Sequence, residues 1–384
     1  MSENTMNTKK LRIAMLGHKV IPSRMGGIEV VVEELATRMA RLGHEVTCYN
    51  RMEEHVSEQG ENGFPLRKYK GVRLKYVFTL DKRGLAAMTS SISATLRAAF
   101  GKYDVVHIHA EGPAFICWLP RLMGKKVVVT VHGLDHQRAK WGRLASRYIM
   151  MGERSAVKYA DEIIVLSHGL QDYFKETYGR ETTFITNGVN EPIIRDDHEI
   201  RKAFGLEKDS YFLYLGRLVP EKGLTYLIQA FKGLHTDKKL VIAGGSSDSR
   251  AFTKKLKEQA KGDPRILFTD FVQGEVLEEL YSNAYVYVLP SDLEGMPISL
   301  LEAMSYGNCC VTSDIAECTE VVEDKAVTFH KSCVRDLRAK LQKLADNPRL
   351  VDKYKKEARS FVLSRYNWDR VTEQTLELYQ KDKA

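Results

Sequence analysis

Two glutamates, Glu294 and Glu302, stand eight residues apart in the segment Glu294-Gly295-Met296-Pro297-Ile298-Ser299-Leu300-Leu301-Glu302. Proline suits the first position of a helix, where its missing N–H is no loss, and the apolar residues after it keep helical spacing through Met304. Glu294 then lies in the loop before the helix and Glu302 in its second turn. On one straight helix the two would be about 12 Å apart, far beyond the roughly 5 to 5.5 Å of carboxylates that attack a glycosidic bond together. They are not an acid and nucleophile acting as a pair. The spacing instead suits two grips on hydroxylated parts of one elongated ligand, with the free N–H groups of the helix start facing an anion between them. A nucleotide sugar has that layout.

Cations that could meet such an anion occur in Gly216-Arg217-Leu218-Val219-Pro220-Glu221-Lys222-Gly223, which follows an apolar strand-like run. Arg217 falls just past the strand end and Lys222 at the next helix start. A diphosphate calls for bidentate and point-charge cations together, and hydrogen bonds to charged groups contribute about 1.5 to 3 kcal/mol each. Taken alone, the same two residues could be an ordinary surface turn. Gly26-Gly27, after Ile21-Pro22-Ser23-Arg24-Met25 and before a helix with Val30, Val31, Leu35 and Met39, lets backbone N–H groups come close to phosphate or sugar oxygens. The arrangement is neither GxGxxG nor GxxxxGK[ST], so dinucleotide and P-loop readings lose their main support.

His107, His109 and His132 lie at or near strand ends. His107 and His109 share one strand face, so one of them can be a packed histidine without a catalytic role. No carboxylate or cysteine recurs at ligand spacing beside the three, and no metal site is expected. The segment containing Arg138, Lys140, Trp141 and Arg143 is basic with interleaved aromatics. It suits an anionic acceptor or a membrane surface, and equally a solvated helix face.

These residues need elements to hold them. A chain of 384 residues exceeds what one core usually supports, so two domains are expected. Short β-rich runs alternate with helical patterns twice over, the mark of two doubly wound α/β domains. Strands are expected at 11–16, 45–50, 72–78, 104–109, 126–131 and 162–166, then at 211–216, 240–244, 265–269, 285–289, 309–312 and 326–329. Helices are expected between them, among others at 84–100, 222–234, 250–261, 275–283 and 297–306, with two more at about 334–364 and 367–381. Asn187-Gly188-Val189-Asn190-Glu191-Pro192 reads as the hinge. Ligands of open α/β sheets bind beyond the carboxyl ends of the strands, so two such domains facing each other would make a cleft.

Hydrophobic residues make up 43% and charged residues 28% of the chain, the balance of a globular protein. The longest apolar runs fall well short of the ~20 residues of a spanning helix, and the opening residues lack a signal peptide's apolar core, so a cytoplasmic protein is expected. Six cysteines without CxxC spacing argue against a disulfide framework or a structural zinc. Residues 1–190 hold 28 Lys+Arg against 19 Asp+Glu, whereas residues 191–384 hold 30 against 31. All the excess charge is in the first half, which suits an acidic acceptor or an anionic membrane surface. No nucleic-acid module is recognisable, and nucleic acid is not expected as a partner.

The residues taken in order resemble a retaining glycosyltransferase of family four, which has the GT-B fold and uses nucleotide sugars. The resemblance rests on Gly26-Gly27, Val131-His132-Gly133-Leu134, Ser167, Asn187-Gly188-Val189, Gly216-Arg217, Glu221-Lys222-Gly223, Glu294-Gly295, Pro297 and Leu301-Glu302-Ala303-Met304. It implies an acceptor-binding domain at 1–190, rejoined by a returning helix at 366–384, and a donor-binding domain at 191–365. It also implies roles. Arg217 and Lys222 would hold the diphosphate, Glu302 the ribose, and Glu294 the transferred sugar. The backbone of Gly295, Met296, Pro297 and Ile298 would line sugar and phosphate beside Leu301, with Pro297 offering no N–H. Gly26 and Gly27 would close over the phosphates, the backbone near Val272 would meet the base, and His132 would stand beside the transferred sugar. His109, Arg24, Arg138, Lys140, Trp141 and Arg143 are the expected acceptor side.

The resemblance implies no enzyme nucleophile, and the absence of a DxD triplet fits a transfer that needs no metal or other cofactor. The expected partners are a nucleotide-sugar donor and a glycan or lipid-linked acceptor, reached by peripheral contact at the inner face of the membrane. Gly307-Asn308-Cys309-Cys310 departs from the family, which commonly has proline there, and leaves the shape of that loop open. Two other readings remain at this stage. An epimerase of the same fold would isomerise the donor without an acceptor, and a noncatalytic glycan-binding protein would not bind nucleoside diphosphates.

Overall fold

The computed structural model describes residues 10–52, 65–80, 82, 84–137, 142–245 and 250–382. The chain divides into two compact units, the first comprising residues 1–185 and 369–384 and the second 186–368.

Unit 1 is built on strands β1 (Arg12–Leu16), β2 (Glu45–Arg51), β3 (Lys68–Tyr69), β4 (Val72–Val77), β5 (Val105–His109), β6 (Lys126–Val131), β7 (Glu162–Val165) and β8 (Thr183–Phe184). They form one sheet in the order β3-β4-β2-β1-β5-β6-β7-β8. Only β3 runs antiparallel to its neighbour. Helices α1 (Gly27–Arg41), α2 (Leu85–Ala99), α3 (Trp118–Leu122), α4 (Arg143–Tyr159) and α5 (His168–Tyr178) connect them. Every residue of β6 is buried, as a Val-rich strand in the interior of a parallel sheet must be. The core gathers Ile108, Val127, Val129, Val131, Ile163 and Phe174 under these helices.

Unit 2 contains β9 (Tyr211–Leu215), β10 (Lys239–Ala243), β11 (Ile266–Asp270), β12 (Val286–Leu289), β13 (Cys309–Ser313) and β14 (Val327–Phe329). Its order is β11-β10-β9-β12-β13-β14 and every pairing is parallel. Its helices are α6 (His198–Phe204), α7 (Leu224–Lys232), α8 (Arg250–Ala260), α9 (Gly274–Asn283), α10 (Ile298–Ser305), α11 (Ala316–Val322), α12 (Val334–Ala345) and α13 (Pro348–Arg365). The last helix, α14 (Trp368–Gln380), returns the chain to unit 1, where the Tyr379 hydroxyl bonds His107 Nδ1 at 2.6 Å.

The strands expected from sequence are all present, within a residue or two of their expected limits. Besides the short strands β3 and β8, which are additional to the expected set, three features differ. The helix expected over 334–364 is two helices, because Pro348 cannot continue α12 and the Asn347 side chain caps α13 by accepting the Leu350 N–H at 3.1 Å. The helix expected from 222 begins instead with a 3₁₀ turn, Pro220–Lys222, and starts as α7 after Gly223. Pro297 is the N-cap of α10 rather than its first helical residue, with Ile298 first. The loop at Asn308 is fixed without a proline: its buried side-chain amide donates to the Tyr281 and Ala303 carbonyls at 2.9 and 3.1 Å.

Candidate active site

In unit 2 the first strand, β9, is flanked by β10 on one side and β12 on the other. The chain therefore winds in opposite directions from β9, and the loops leaving β9 and β12 part at the carboxyl edge, where doubly wound sheets take their ligands. Arg217 leaves β9, and Lys222 closes the 3₁₀ turn that follows. Gly223 then adopts φ +66, and a Cβ on it would fall 1.9 Å from the Pro290 carbonyl oxygen. Only glycine allows the β9 loop to lie that close to the β12 loop. The Asp292 N–H donates to the Glu221 carbonyl at 2.8 Å and ties the two loops together.

This closeness brings Lys222 Nζ to 2.5 Å from Glu294 Oε1, with the two side chains 14% and 9% exposed. Arg217 is held by its backbone, its carbonyl accepting the Tyr214 hydroxyl at 2.9 Å. Its guanidinium has no hydrogen bond or ion pair among the described residues. Burial, with Glu294 adding to it, pushes the Tyr214 hydroxyl well above its ordinary range, so it remains a donor. Glu302, half-buried in the second turn of α10, has Oε2 3.2 Å from the Tyr281 hydroxyl. Leu300 and Leu301 donate to the Pro297 carbonyl, leaving the N–H groups of Ile298 and Ser299 as the open start of the helix. Gly295 and Met296 are buried, and Met296 is fixed by Asn187, whose Nδ2 donates to its carbonyl at 3.3 Å. Leu301 differs from expectation: its side chain is fully buried and its N–H is used within the helix, so it packs the core and has nothing left for a ligand. Val272 is half-buried between β11 and α9, on the same carboxyl edge of the sheet.

Unit 1 repeats the layout, with β1 flanked by β2 and β5. His132 follows β6 directly, and its Nε2 lies 3.1 Å from His109 Nδ1. His107 is the packed histidine of the pair on β5, bonded to Thr130 Oγ1 at 2.7 Å and to Tyr379, and burial pushes it down to about 3. His109 is fully enclosed; burial first, then His107, His132 and His18, hold it well below its ordinary value. Its expected contact with an acceptor is corrected in this conformation: Nδ1 is on His132, Nε2 is buried without a partner among the described residues, and no part of the ring is open to solvent. His18 was not singled out from sequence. It follows β1 as His132 follows β6, its Nε2 lies 3.0 Å from Asn50 Oδ1, and burial pushes it down to about 4. Its place just past a strand end, after Gly17, was the available signal.

Gly26 caps α1 in an extended conformation and Gly27 opens it, exposed. Arg24 is exposed and 3.8 Å from Glu34. Arg143 is exposed at the start of α4, while Arg138, Lys140 and Trp141 lie outside the described residues.

Residues 25–191 match the model of Glycosyltransferase Family 4, and residues 196–361 match Glycosyl transferases group 1. The chain belongs to the family-4 type of glycosyltransferases. Among relatives of this glycosyltransferase, the alpha-maltose-1-phosphate synthase of Mycolicibacterium smegmatis is 25% identical over 405 residues, covering 97% of this chain and all of that protein. The sucrose-phosphate synthase of Thermosynechococcus elongatus superposes with a TM-score of 0.79 at 20% identity, over 97% of this chain and 98% of the other. HepE of Anabaena, in complex with UDP and glucose, gives 0.78 at 16%, over 96% and 98%. The fold is GT-B.

Proposed function

We propose that this glycosyltransferase moves one sugar, with retention of anomeric configuration, from a nucleotide-diphosphate sugar to a hydroxyl of a glycan or lipid-linked glycan precursor in cell-surface polysaccharide synthesis. The observation that carries the donor half is the Lys222–Glu294 pair, with Arg217 in the same loop after β9 and without a hydrogen bond or ion pair among the described residues, at the point where the unit 2 sheet changes direction. A departing diphosphate concentrates negative charge, and fixed cations in a partly dry site stabilise it more than water does. Arg217 offers a planar fork and Lys222 a point charge. Glu294, holding Lys222, reaches toward the hydroxyls of the transferred sugar, and Glu302 takes the ribose. The open N–H groups at the start of α10 complete the anion cradle.

The cations suffice for the leaving group, so the transfer needs no metal, and the absence of a DxD triplet supports this. His132, bonded to the neutral His109, would take the role beside the transferred sugar that the resemblance to the family implies, and the leaving phosphate itself would help to deprotonate the acceptor on the same face. The nucleotide and sugar bound by HepE support a nucleoside-diphosphate donor of that kind. The net positive first half supports an anionic or lipid-linked acceptor and peripheral contact with an anionic membrane. Among the described residues no helix is long and apolar enough to cross a membrane.

The test is a panel of nucleotide sugars, scored by thermal stabilisation and by hydrolysis or transfer. Glu302→Ala and Lys222→Ala should each lower donor kcat/KM about 10- to 150-fold, the loss of one charge-assisted hydrogen bond. Wild-type rates in both variants reject the donor assignment, and isomerisation of the donor without any acceptor rejects transfer.

A further inference from the structure

Unit 1 holds a second cluster of chemistry-bearing side chains. Glu111 follows β5, His136 lies in a 3₁₀ turn after β6 (Asp135–Gln137), and Glu153 is on α4. Both glutamate side chains are fully buried and that of His136 is 16% exposed. One oxygen of each carboxyl group is engaged. Glu111 Oε2 accepts the Asp135 N–H at 2.8 Å, and Glu153 Oε1 accepts the Tyr173 hydroxyl at 2.8 Å together with that of Tyr178. The remaining atoms, Glu111 Oε1, Glu153 Oε2 and His136 Nδ1, are buried without a hydrogen-bond partner. All three converge: Nδ1 is 3.5 Å from the Glu153 oxygen and 3.9 Å from the Glu111 oxygen, and the set lies within 4.8 Å.

Those separations are long for hydrogen bonds. They are close to what ligands of one small ion show, since nitrogen and oxygen atoms about 2.1 Å from zinc in a tetrahedron are about 3.4 Å apart. The backbone sets the convergence: α4 packs so tightly on the Glu111 turn that a Cβ on Gly152 would fall 2.0 Å from the Glu111 carbonyl oxygen. The two carboxyl groups are therefore held toward each other by adjoining backbones.

We propose that Glu111, His136 through Nδ1, and Glu153 bind one zinc ion. Two carboxylates and a neutral imidazole balance its charge, and the imidazole favours zinc over magnesium or calcium, which take oxygen ligands. Three protein ligands leave a fourth position on a tetrahedral ion. Tyr173, Tyr178 and the Asp135 N–H, bonded to the far carboxyl oxygens, orient the ligands from outside. Without the ion, burial, with the facing Glu153 adding to it, pushes the Glu111 carboxyl up to about 10. The ion joins the loops after β5 and β6 to α4, and so braces the segment that carries His132. The proposed donor residues Arg217, Lys222, Glu294 and Glu302 belong to unit 2, so this site stands or falls independently of them.

The test uses the full-length, tag-free chain, stripped with a chelator and reloaded with zinc near neutral pH. One zinc per chain should survive gel filtration, and the thermal midpoint should rise with zinc concentration. Affinity, read by competition with a chromophoric chelator, should fall at least about 10-fold in His136→Ala. Glu111→Gln, which keeps an acceptor for the Asp135 N–H, should fall likewise and serves if the first variant does not fold. Failure of the wild type to retain zinc, or equal retention by wild type and variants, overturns the proposal and leaves the carboxyl pair sharing a proton. Tighter retention of magnesium than of zinc overturns the choice of ion. Nucleoside-diphosphate binding should be unchanged by these substitutions.

Discussion

The ion pair between Lys222 and Glu294 can be taken apart quantitatively. At 2.5 Å, in surroundings of effective dielectric about 20, two unit charges attract by about 7 kcal/mol before desolvation. With only 14% and 9% of the side chains exposed, most of that attraction is offset by removing both ions from water, and a net coupling of about 1.5 to 3 kcal/mol should remain. Lys222→Met should destabilise by more than this coupling, because it leaves Glu294 enclosed without its cation. Lys222→Met with Glu294→Gln should recover much of the loss. Urea unfolding of the wild type, both single variants and the double variant isolates the coupling. In parallel, donor kcat/KM should fall about 10- to 150-fold in Lys222→Met and should not recover in the double variant, since the cation toward the diphosphate is still missing. A coupling below about 0.5 kcal/mol would refute the pairing. Recovery of turnover in the double variant would show that Lys222 is purely structural and refute its role toward the donor.

Gly223→Ala forces a side chain into a left-handed conformation against the Pro290 carbonyl, and should cost about 1 to 3 kcal/mol in unfolding free energy. By shifting Lys222 from Glu294 it should also lower donor kcat/KM by up to about 100-fold; unchanged kinetics would mean that the loop approach does not position the site. Tyr379→Phe removes one of the two bonds to buried His107 and should destabilise unit 1 by about 1 to 3 kcal/mol, checked by chemical denaturation. His18 and His107 have folded-state values near 4 and 3, and His109 is also depressed, all below the ordinary 6.5. Below pH 6.5 the unfolded chain binds protons that the folded chain refuses, so their stability is fully present above 6.5 and is lost as pH falls toward 4, by at most about 1.4 kcal/mol per pH unit for each group. Glu111, raised in the fold, acts with the opposite sign between about pH 4.5 and 10, and does not outweigh three histidines. A urea midpoint that stays level from pH 7 to pH 5 in chelated protein contradicts this.

Much of the architecture was legible because it is written in local pattern. The Val-rich run of β6 and its counterparts repeat at strand length, and Pro297 and Gly223 mark loop-to-helix transitions within a few residues of themselves. Arg217, Lys222, Glu294 and Glu302 could be placed past strand ends or at a helix start for the same reason. The break at Asn347-Pro348 is equally local, but apolar spacing that continues across it masks it. The short strands β3 and β8 hold two residues each, too few to show any period.

What the chain alone determined was thus which residues stand at strand ends and helix starts, since hydrophobic period and turn chemistry act over a few positions. Which of them meet was decided by the order of strands in each sheet. Lys222 pairs with Glu294 across 72 residues because β12 lies beside β9, and His107 is locked by Tyr379 across 272 because the last helix returns to unit 1. His109 is enclosed, and Glu111, His136 and Glu153 converge, because neighbouring strands and α4 bury them together. Desolvation and unpaired buried atoms arise only when distant segments pack, and no spacing within one segment encodes them.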